Sequence, residues 1–459
     1  MYDVHIVVLA AGKGIRMKSA MPKVLHRVAG IPMIDYVLRG AATLRPNSVT
    51  VVVGHEADML RAALSRWPGL AYVVQEPQLG TAHALLATAG SLRAATGLLV
   101  LLSGDVPLLS ANTLKMLVDR HTSTSSAATV LTAIVDEPRG YGRIVRTGER
   151  IARIVEERDA SSAEREIHEI NAGIYAFALD GLFDALRGVA SENAQGEYYL
   201  PDLVGVYGQG GRRVETLTVT DFDEIRGINS RLELERVGRI VRSRKNEELM
   251  AAGVTIEDAA TTYIELDVEV GGDTIIHPGV SIEGTTTVGD GCEIHSGVRI
   301  VNSRIGDRVT VFNHSVISEA TIANHARVGP FAHLRQEADV GERARVGNFV
   351  ELKNTRLGVG SKSMHLAYLG DATIGANVNV GAGTITCNYD GEKKSTTVIE
   401  DGAFIGSDTQ LVAPVTIGKG AYVGSGTTIR EDVPPGALAV SAGKQRNIDG
   451  LAEGRKKKK

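Results

Sequence analysis

The chain has 459 residues, room for two to four domains of ordinary size, each able to bury its own core. Hydrophobic residues at 43% and charged residues at 23% exclude wholesale disorder. A net charge of -4, from 50 basic and 54 acidic side chains, argues against a general nucleic-acid binder, whose affinity comes from neutralising phosphates.

Two cysteines, Cys292 and Cys387, cannot build a disulfide framework and fit a reducing compartment. The first twenty residues carry Asp3, His5, Lys13, Arg16 and Lys18 around an apolar run too short for a signal sequence, and no later stretch approaches the length of a membrane span. A cytoplasmic protein without stable membrane insertion is expected. The run Lys456 to Lys459 reads as a solvated tail. The composition is unusual in its 52 glycines and 4% aromatics, which call for many tight corners.

From the start to about residue 228, short apolar runs alternate with helix-like stretches. Val4 to Leu9, Val49 to Val53 and Leu98 to Leu102 read as buried strands of a parallel sheet with helices on both faces. The first strand runs into Ala10-Ala11-Gly12-Lys13-Gly14-Ile15-Arg16-Met17, whose bare amides and two cations suit a phosphate. It matches neither the Walker loop nor the dinucleotide fingerprint, so a plain strand-to-helix turn stays open. Lys23 adds a third cation. The strand Leu98 to Leu102 delivers Asp105 beyond the carboxyl end of the sheet, where such sheets bind ligands. Asp105 is there either a Mg2+ ligand or a turn and helix-cap aspartate.

Residues 229–252 are charged with a helical period, Leu234, Val237 and Val241 falling on one side and Gly253 acting as the stop. They predict a connecting helix. Over 253–459 the period changes. Aliphatic residues recur six apart, as in Ile399, Ile405, Leu411, Ile417, Val423 and Ile429, and larger units repeat every 17 or 18 residues. Three hexads per unit make one coil of a three-sided solenoid with small residues at its corners. An antiparallel sandwich would instead show irregular turn spacing and period-two alternation. Register is lost between Val380 and Ile399, where Asn388-Tyr389-Asp390-Gly391 predicts a loop leaving the solenoid.

Taken in order, Leu9 to Met17, Pro22 to Leu25, Gln78 to Ala82, Gly104 to Pro107, Gly140 to Arg143 and Asn193 to Tyr199 resemble sugar-1-phosphate nucleotidylyltransferases. His365-Leu366-Ala367-Tyr368-Leu369-Gly370-Asp371, the stretch Gly381 to Gly391 and Gly406 to Gln410 extend the likeness. Nearly the whole chain then resembles the bifunctional N-acetylglucosamine-1-phosphate uridyltransferase and glucosamine-1-phosphate acetyltransferase family. The resemblance implies an α/β Rossmann-like nucleotidyltransferase domain over 1–228, a connecting helix, and a left-handed parallel β-helix of hexapeptide repeats with a C-terminal arm.

By that resemblance, UTP is attacked at its α-phosphorus by a sugar-phosphate oxygen, releasing pyrophosphate. Leu9, Ala10, Gly12, Gly14, Arg16 and Lys23 would hold the nucleotide. Gln75, Gly80 and Thr81 would read the uracil edge, and Gly140, Glu156 and Asn171 would hold the amino sugar. Asp105 and Asn229 would carry Mg2+. In the second reaction His365 would be the general base for the amine of glucosamine-1-phosphate as it meets acetyl-CoA. Arg335 and Lys353 would bind the sugar phosphate, with Tyr368 and Asn379 on the sugar. Ala382, Asn388, Tyr389, Ser407 and Ser425 would shape the acetyl-CoA site.

A homotrimer with acetyltransferase sites between subunits is also implied. The competing reading is a monofunctional sugar-1-phosphate nucleotidyltransferase with a structural β-helix tail. Two departures stand out. Gln336 replaces a frequent proline, and Ala442 falls where some members have an arginine on coenzyme A. Lys444, two residues on, either takes over that contact as a point charge or is a solvated arm residue.

Overall fold

The structure is a computed structural model that describes residues 3–441 and residue 443. The chain divides into two compact units, Met1–Val241 and Arg242–Lys459.

The first unit is built on one sheet, its strands in the order Val214–Val219, Ala128–Ile134, Glu169–Ala178, Leu98–Ser103, Val4–Leu9, Ser48–Val53 and Leu70–Val74. Val4–Leu9 is parallel to both neighbours, placing Ile6 opposite Val49 on one side and Val100 on the other. Successive residues serve opposite faces. Ile6 and Val8 belong to a core with Ile34, Leu38 and Leu117, whereas Val7 belongs to one with Leu85, Leu182 and Tyr207. Burial on both faces explains why these strands read as unbroken apolar runs.

One strand departs from the parallel expectation. Glu169–Ala178 runs antiparallel to both Leu98–Ser103 and Ala128–Ile134. Its register slips between Asn171 and Tyr175, around Gly173 at φ 71°. Such a bulge re-aims a side chain. Here it turns the Asn171 Oδ1 back to accept from the Gly173 amide at 3.0 Å. The hairpin Arg143–Thr147 and Arg150–Val155 joins the start of this strand through Arg143 opposite Ile170.

The helix expected over 229–252 spans Arg231–Ala251. Ser230 starts it by accepting the Glu233 amide at 3.3 Å, while the Glu233 carboxylate accepts the Asn229 amide at 2.7 Å, a close relative of the capping box. In the first unit Val237 and Val241 are buried with Val28, Met33 and Ile228. In the second, Leu249 joins the solenoid core, and the buried Asn246 amide donates to the carbonyls of Ala259 at 3.1 Å and Thr262 at 3.2 Å. Gly253, at φ 97°, ends the helix as predicted.

The second unit is a parallel β-helix with faces of 11, 10 and 9 short strands. Each strand pairs with the one a coil further on: Ile276 with Ile294, Ile282 with Ile300, Val288 with Ile305. These are the hexad positions, and they point inward and are buried. Each such side chain contributes roughly 1.5–3 kcal/mol of burial, so the stacked aliphatics, rather than two-residue strands, hold the coils. Two of these hexad positions are polar among the described residues. Ser363 lies two residues before His365, and Thr386 donates to the Gly370 carbonyl at 2.9 Å and accepts its amide at 2.7 Å.

The predicted loop is present. Ile374 pairs with Ile399, 25 positions away. The extra residues leave after Cys387, and Asp390 Oδ1 closes the tip by accepting the Glu392 and Lys393 amides at 2.9 and 2.8 Å.

Candidate active sites

In the first unit the carboxyl ends of the central strands open into a cleft of about 1020 Å³. Leu9, Ala10, Gly12, Lys23, Gln75, Gly80, Thr81 and Asp105, each expected from the sequence, line it. Gly14 sits just behind at φ 59°, where an added Cβ would stand 2.7 Å from the Lys23 Cβ. Only glycine lets the turn press so closely on the lysine.

Lys23 is the hub. Its ammonium pairs with Asp105 Oδ2 and donates to Asn229 Oδ1 at 3.1 Å, while the Ser103 hydroxyl donates to Asp105 Oδ1 at 2.6 Å. Burial pushes the Asp105 carboxyl up, but Lys23 and the hydrogen bonds outweigh it and hold the group below the usual carboxylate range. The Asp105 and Asn229 oxygens therefore converge on one cation. A carboxylate and an amide oxygen, with room for water and phosphate beside them, form a hard donor set that fits Mg2+.

The wall of the cleft is locked by two motifs meeting. Gly80 has φ 111°, and a Cβ there would stand 2.6 Å from the Tyr198 carbonyl. Tyr198 donates to the Leu79 carbonyl at 2.8 Å, and the Thr81 hydroxyl accepts the Leu200 amide at 3.0 Å. The stretches 78–82 and 193–199, distant in sequence, thus meet. Gln75 is buried, its amide donating to the Gly80 carbonyl at 2.9 Å.

Other expected residues lie differently. Arg16 is exposed on the short helix Ile15–Met17. Glu156 is half-buried, and burial, reinforced by Asp202 and Asp159, pushes its carboxyl up. Asn171 joins it through Gly142, whose carbonyl accepts the Asn171 amide at 2.8 Å and whose added Cβ would stand 3.2 Å from Glu156 Oε1. Gly140 turns elsewhere, its amide donating to Glu157 at 3.2 Å. The glycine against the Glu156 and Asn171 pair is Gly142.

In the second unit, His365 is exposed and its Nδ1 lies 2.6 Å from Asn348 Oδ1. Because a carboxamide oxygen only accepts, this contact calls for the proton on Nδ1, the tautomer of the neutral ring that leaves the Nε2 lone pair free. The two residues are paired across neighbouring coils. Asn379 lies on the same face, one strand further on. On the next face Arg335, Lys353 and Gly370 share one register line. The Tyr368 hydroxyl lies against Gly370, where an added Cβ would meet it at 2.4 Å.

Asp371 organises this end. It accepts from Lys353 Nζ at 3.0 Å, from Asn354 at 2.7 Å and from the Asn388 side chain. Burial raises the Asp371 carboxyl, but these three donors together hold it below its usual range, and Asp371 in turn raises Lys353. Arg335 pairs with Glu351 at 2.7 Å. Gln336 has φ 51°, a conformation closed to proline, so the substitution goes with a different local backbone.

Ala382, Ser407 and Ser425 follow one another down a corner packed so closely that a Cβ on Gly381 would stand 2.6 Å from the Ser407 amide, and one on Gly406 2.5 Å from the Ser425 amide. Tyr389 projects from the loop, 59% exposed. Ala442 and Lys444 lie outside the described residues.

Comparison with known proteins agrees with this division. The MobA-like NTP transferase domain family matches residues 6–171, the GMPPB C-terminal domain family 264–368, and the bacterial transferase hexapeptide family 396–431. Over the full length, the chain is 48% identical to the Bifunctional protein GlmU of Trichlorobacter lovleyi, covering 97% of each chain. It is 46% identical to that of Pelobacter propionicus over 100% of both, and 49% identical to that of Syntrophotalea carbinolica over 97% of this chain and 96% of the other.

The chain belongs to the GlmU family. Its fold is therefore that of a nucleotidyltransferase domain followed by a left-handed β-helix of hexapeptide repeats. In this member of the GlmU family, sequence reasoning passed over Asn348 and gave Asp371 and Gly142, which stand inside its motifs, no role of their own. The 17-residue coil spacing was the available signal for Asn348, since it puts that side chain one coil beneath His365.

Proposed function

We propose that this chain performs two transfers on one sugar phosphate: acetylation of glucosamine-1-phosphate by acetyl-CoA, then uridylylation of the product by UTP to give UDP-N-acetylglucosamine and pyrophosphate. The observation that carries the reading is the pair of separate polar centres, Lys23 with Asp105 and Asn229 in one unit and His365 with Asn348 in the other. Full-length likeness to proteins named bifunctional supports it.

In the acetyl transfer, the free Nε2 of His365 takes a proton from the amine as its nitrogen attacks the thioester carbonyl. The new C–N bond forms, the C–S bond breaks, and coenzyme A leaves as thiolate to be reprotonated. Asn348 keeps the ring in the accepting tautomer. Lys353 and Arg335, with Tyr368 and Asn379, hold the sugar phosphate, while the corner of Ala382, Ser407 and Ser425 with Asn388, Tyr389 and Lys444 takes acetyl-CoA.

In the uridylyl transfer, the sugar-phosphate oxygen is already ionised, so the protein's work is positioning and charge neutralisation. Leu9, Ala10, Gly12, Gly14, Arg16 and Lys23 hold the triphosphate. Gln75, Gly80 and Thr81 face the base, and Glu156, Asn171 and the loop of Gly140 face the amino sugar. Mg2+, held by Asp105 and Asn229, would supply charge neutralisation at the phosphates.

The division into 1–228, a helix over 229–252 and 253–459 belongs to the same reading, as does the cytoplasm. No helix among the described residues is long and apolar enough to cross a membrane. A homotrimer completes it. His314, Phe331 and Phe349 stack at 5.3 and 5.4 Å along one corner, and Phe331, Phe349 and Leu366 are 48%, 56% and 62% exposed right beside His365. An apolar edge of this kind suits a neighbouring subunit.

Acetyl-CoA consumption with glucosamine-1-phosphate, followed by UTP-dependent pyrophosphate release, tests the function. Absence of either step contradicts it. Light scattering tests the assembly, and a stable monomer active in acetyl transfer would refute the trimer.

A further inference from the structure

Near the first coils of the β-helix, far in sequence from either catalytic set, two histidines and two glutamates crowd together. His277 and His295 follow the inward residues Ile276 and Ile294 on adjacent coils, so the coil spacing stacks their rings, with centroids 4.7 Å apart and planes inclined by 11°. Phe312, one coil on, stacks on His295 at 5.2 Å and walls the group on that side. Glu293 lies between the two imidazoles, its Oε1 3.4 Å from His277 Nε2 and 3.5 Å from His295 Nε2.

We propose that His277, Glu293 and His295 bind a transition-metal dication of the Zn2+ class. Three observations point this way. The ligand atoms of the three side chains all lie within 4.8 Å of one another. The carboxylate-to-nitrogen separations of 3.4 and 3.5 Å match the edge of a tetrahedron whose corners stand about 2.0–2.1 Å from a central ion, an edge of about 3.3–3.4 Å. Finally, His295 Nε2 is buried and has no hydrogen-bond partner, although a buried nitrogen normally finds one.

The surroundings are those of a ligand set. Glu257 Oε2 lies 2.9 Å from His277 Nδ1 and would fix the proton there, freeing Nε2 for a metal in a carboxylate, histidine, metal relay. Two imidazoles and one carboxylate suit Zn2+, Co2+ or Ni2+ rather than Mg2+, which prefers an all-oxygen shell. The fourth corner would be water. Parallel rings keep their lone pairs in separate planes, so binding turns one imidazole about its Cβ–Cγ bond, a broad torsion for histidine.

The test uses the full chain, dialysed against chelator and titrated in millimolar Mg2+ with Zn2+ by calorimetry and with Co2+ by visible absorption. One equivalent of each is expected, Co2+ giving the intense bands of a four- or five-coordinate site and Zn2+ raising the unfolding midpoint. His295→Phe continues the stack onto Phe312, and Glu293→Gln keeps the side-chain size. Each should weaken Zn2+ at least about tenfold while leaving the metal-free midpoint within a few degrees, and if one fails to fold the other decides. Asp105→Ala should retain the Zn2+ site. The absence of saturable uptake, uptake undiminished in the folded variants, or uptake lost only in Asp105→Ala would overturn the proposal and leave these residues an ion-pair ladder.

Discussion

Asn348 touches no substrate in the proposed mechanism, yet it decides which nitrogen of His365 can accept a proton. Asn348→Ala should lower kcat for acetyl transfer about tenfold or more with little change in KM for glucosamine-1-phosphate, because it frees the ring to adopt the wrong tautomer. Asn348→Asp makes a sharper test. A carboxylate beside the ring favours the imidazolium, so the rising limb of the acetyl-transfer pH profile should move to higher pH. Unchanged profiles in both variants would reduce Asn348 to packing. In the other unit Lys23 has two parts, holding the triphosphate and keeping Asp105 ionised and oriented.

At the scale of elements, the helix Ala111–Thr124 carries His121 against the strand Ala128–Ile134, its Nδ1 3.1 Å from the Thr129 hydroxyl. Burial lowers this imidazole from 6.5 to about 4. A depressed histidine is neutral when folded and protonated when unfolded between those values, so its contribution is complete above pH 6.5 and is lost as the pH falls toward 4. The difference corresponds to at most about 3 kcal/mol. Denaturant titrations of the wild type and His121→Gln at several pH values should show a flatter acid limb for the variant, and parallel limbs would contradict the assignment.

The corners of the β-helix offer a second test. A Cβ on Gly347 would stand 1.9 Å from the Met364 carbonyl, between the coils that carry Asn348 and His365. Gly347→Ala should force those coils apart, cost about 2 kcal/mol or more, and reduce acetyl transfer while sparing uridylyl transfer. A variant with full acetyl activity would contradict that account of the corner.

These elements were unequally legible. The hexads announced the solenoid because its coils repeat at a fixed spacing, and Gly253 and Asn388 to Gly391 marked the helix stop and the loop. The antiparallel strand Glu169–Ala178 and its bulge went unread, since strand direction leaves no periodic trace and the slip hinges on one glycine in a run of ordinary residues. That Gly142 packs against Glu156 was not legible, because two glycines flank one tyrosine and only the fold shows which of them faces that carboxyl. Asp371 sits at a corner at φ 51°, where an aspartate reads as a turn residue until Lys353, Asn354 and Asn388 are seen to converge on it.

In the molecule as a whole, two chemistries reside in two units of one chain. Asp105 and His365 stand in different units, Asp105 bonded to Ser103 in one and His365 to Asn348 in the other. The most direct measurement assays both activities in Asp105→Ala and in His365→Ala, each verified as folded by circular dichroism. Asp105→Ala should abolish Mg2+-dependent uridylyl transfer and keep acetyl transfer, while His365→Ala should lower acetyl transfer by about 10² to 10⁴ and keep uridylyl transfer. A folded variant of either kind that loses both activities together, or an acetyl rate unmoved by His365→Ala, would contradict it.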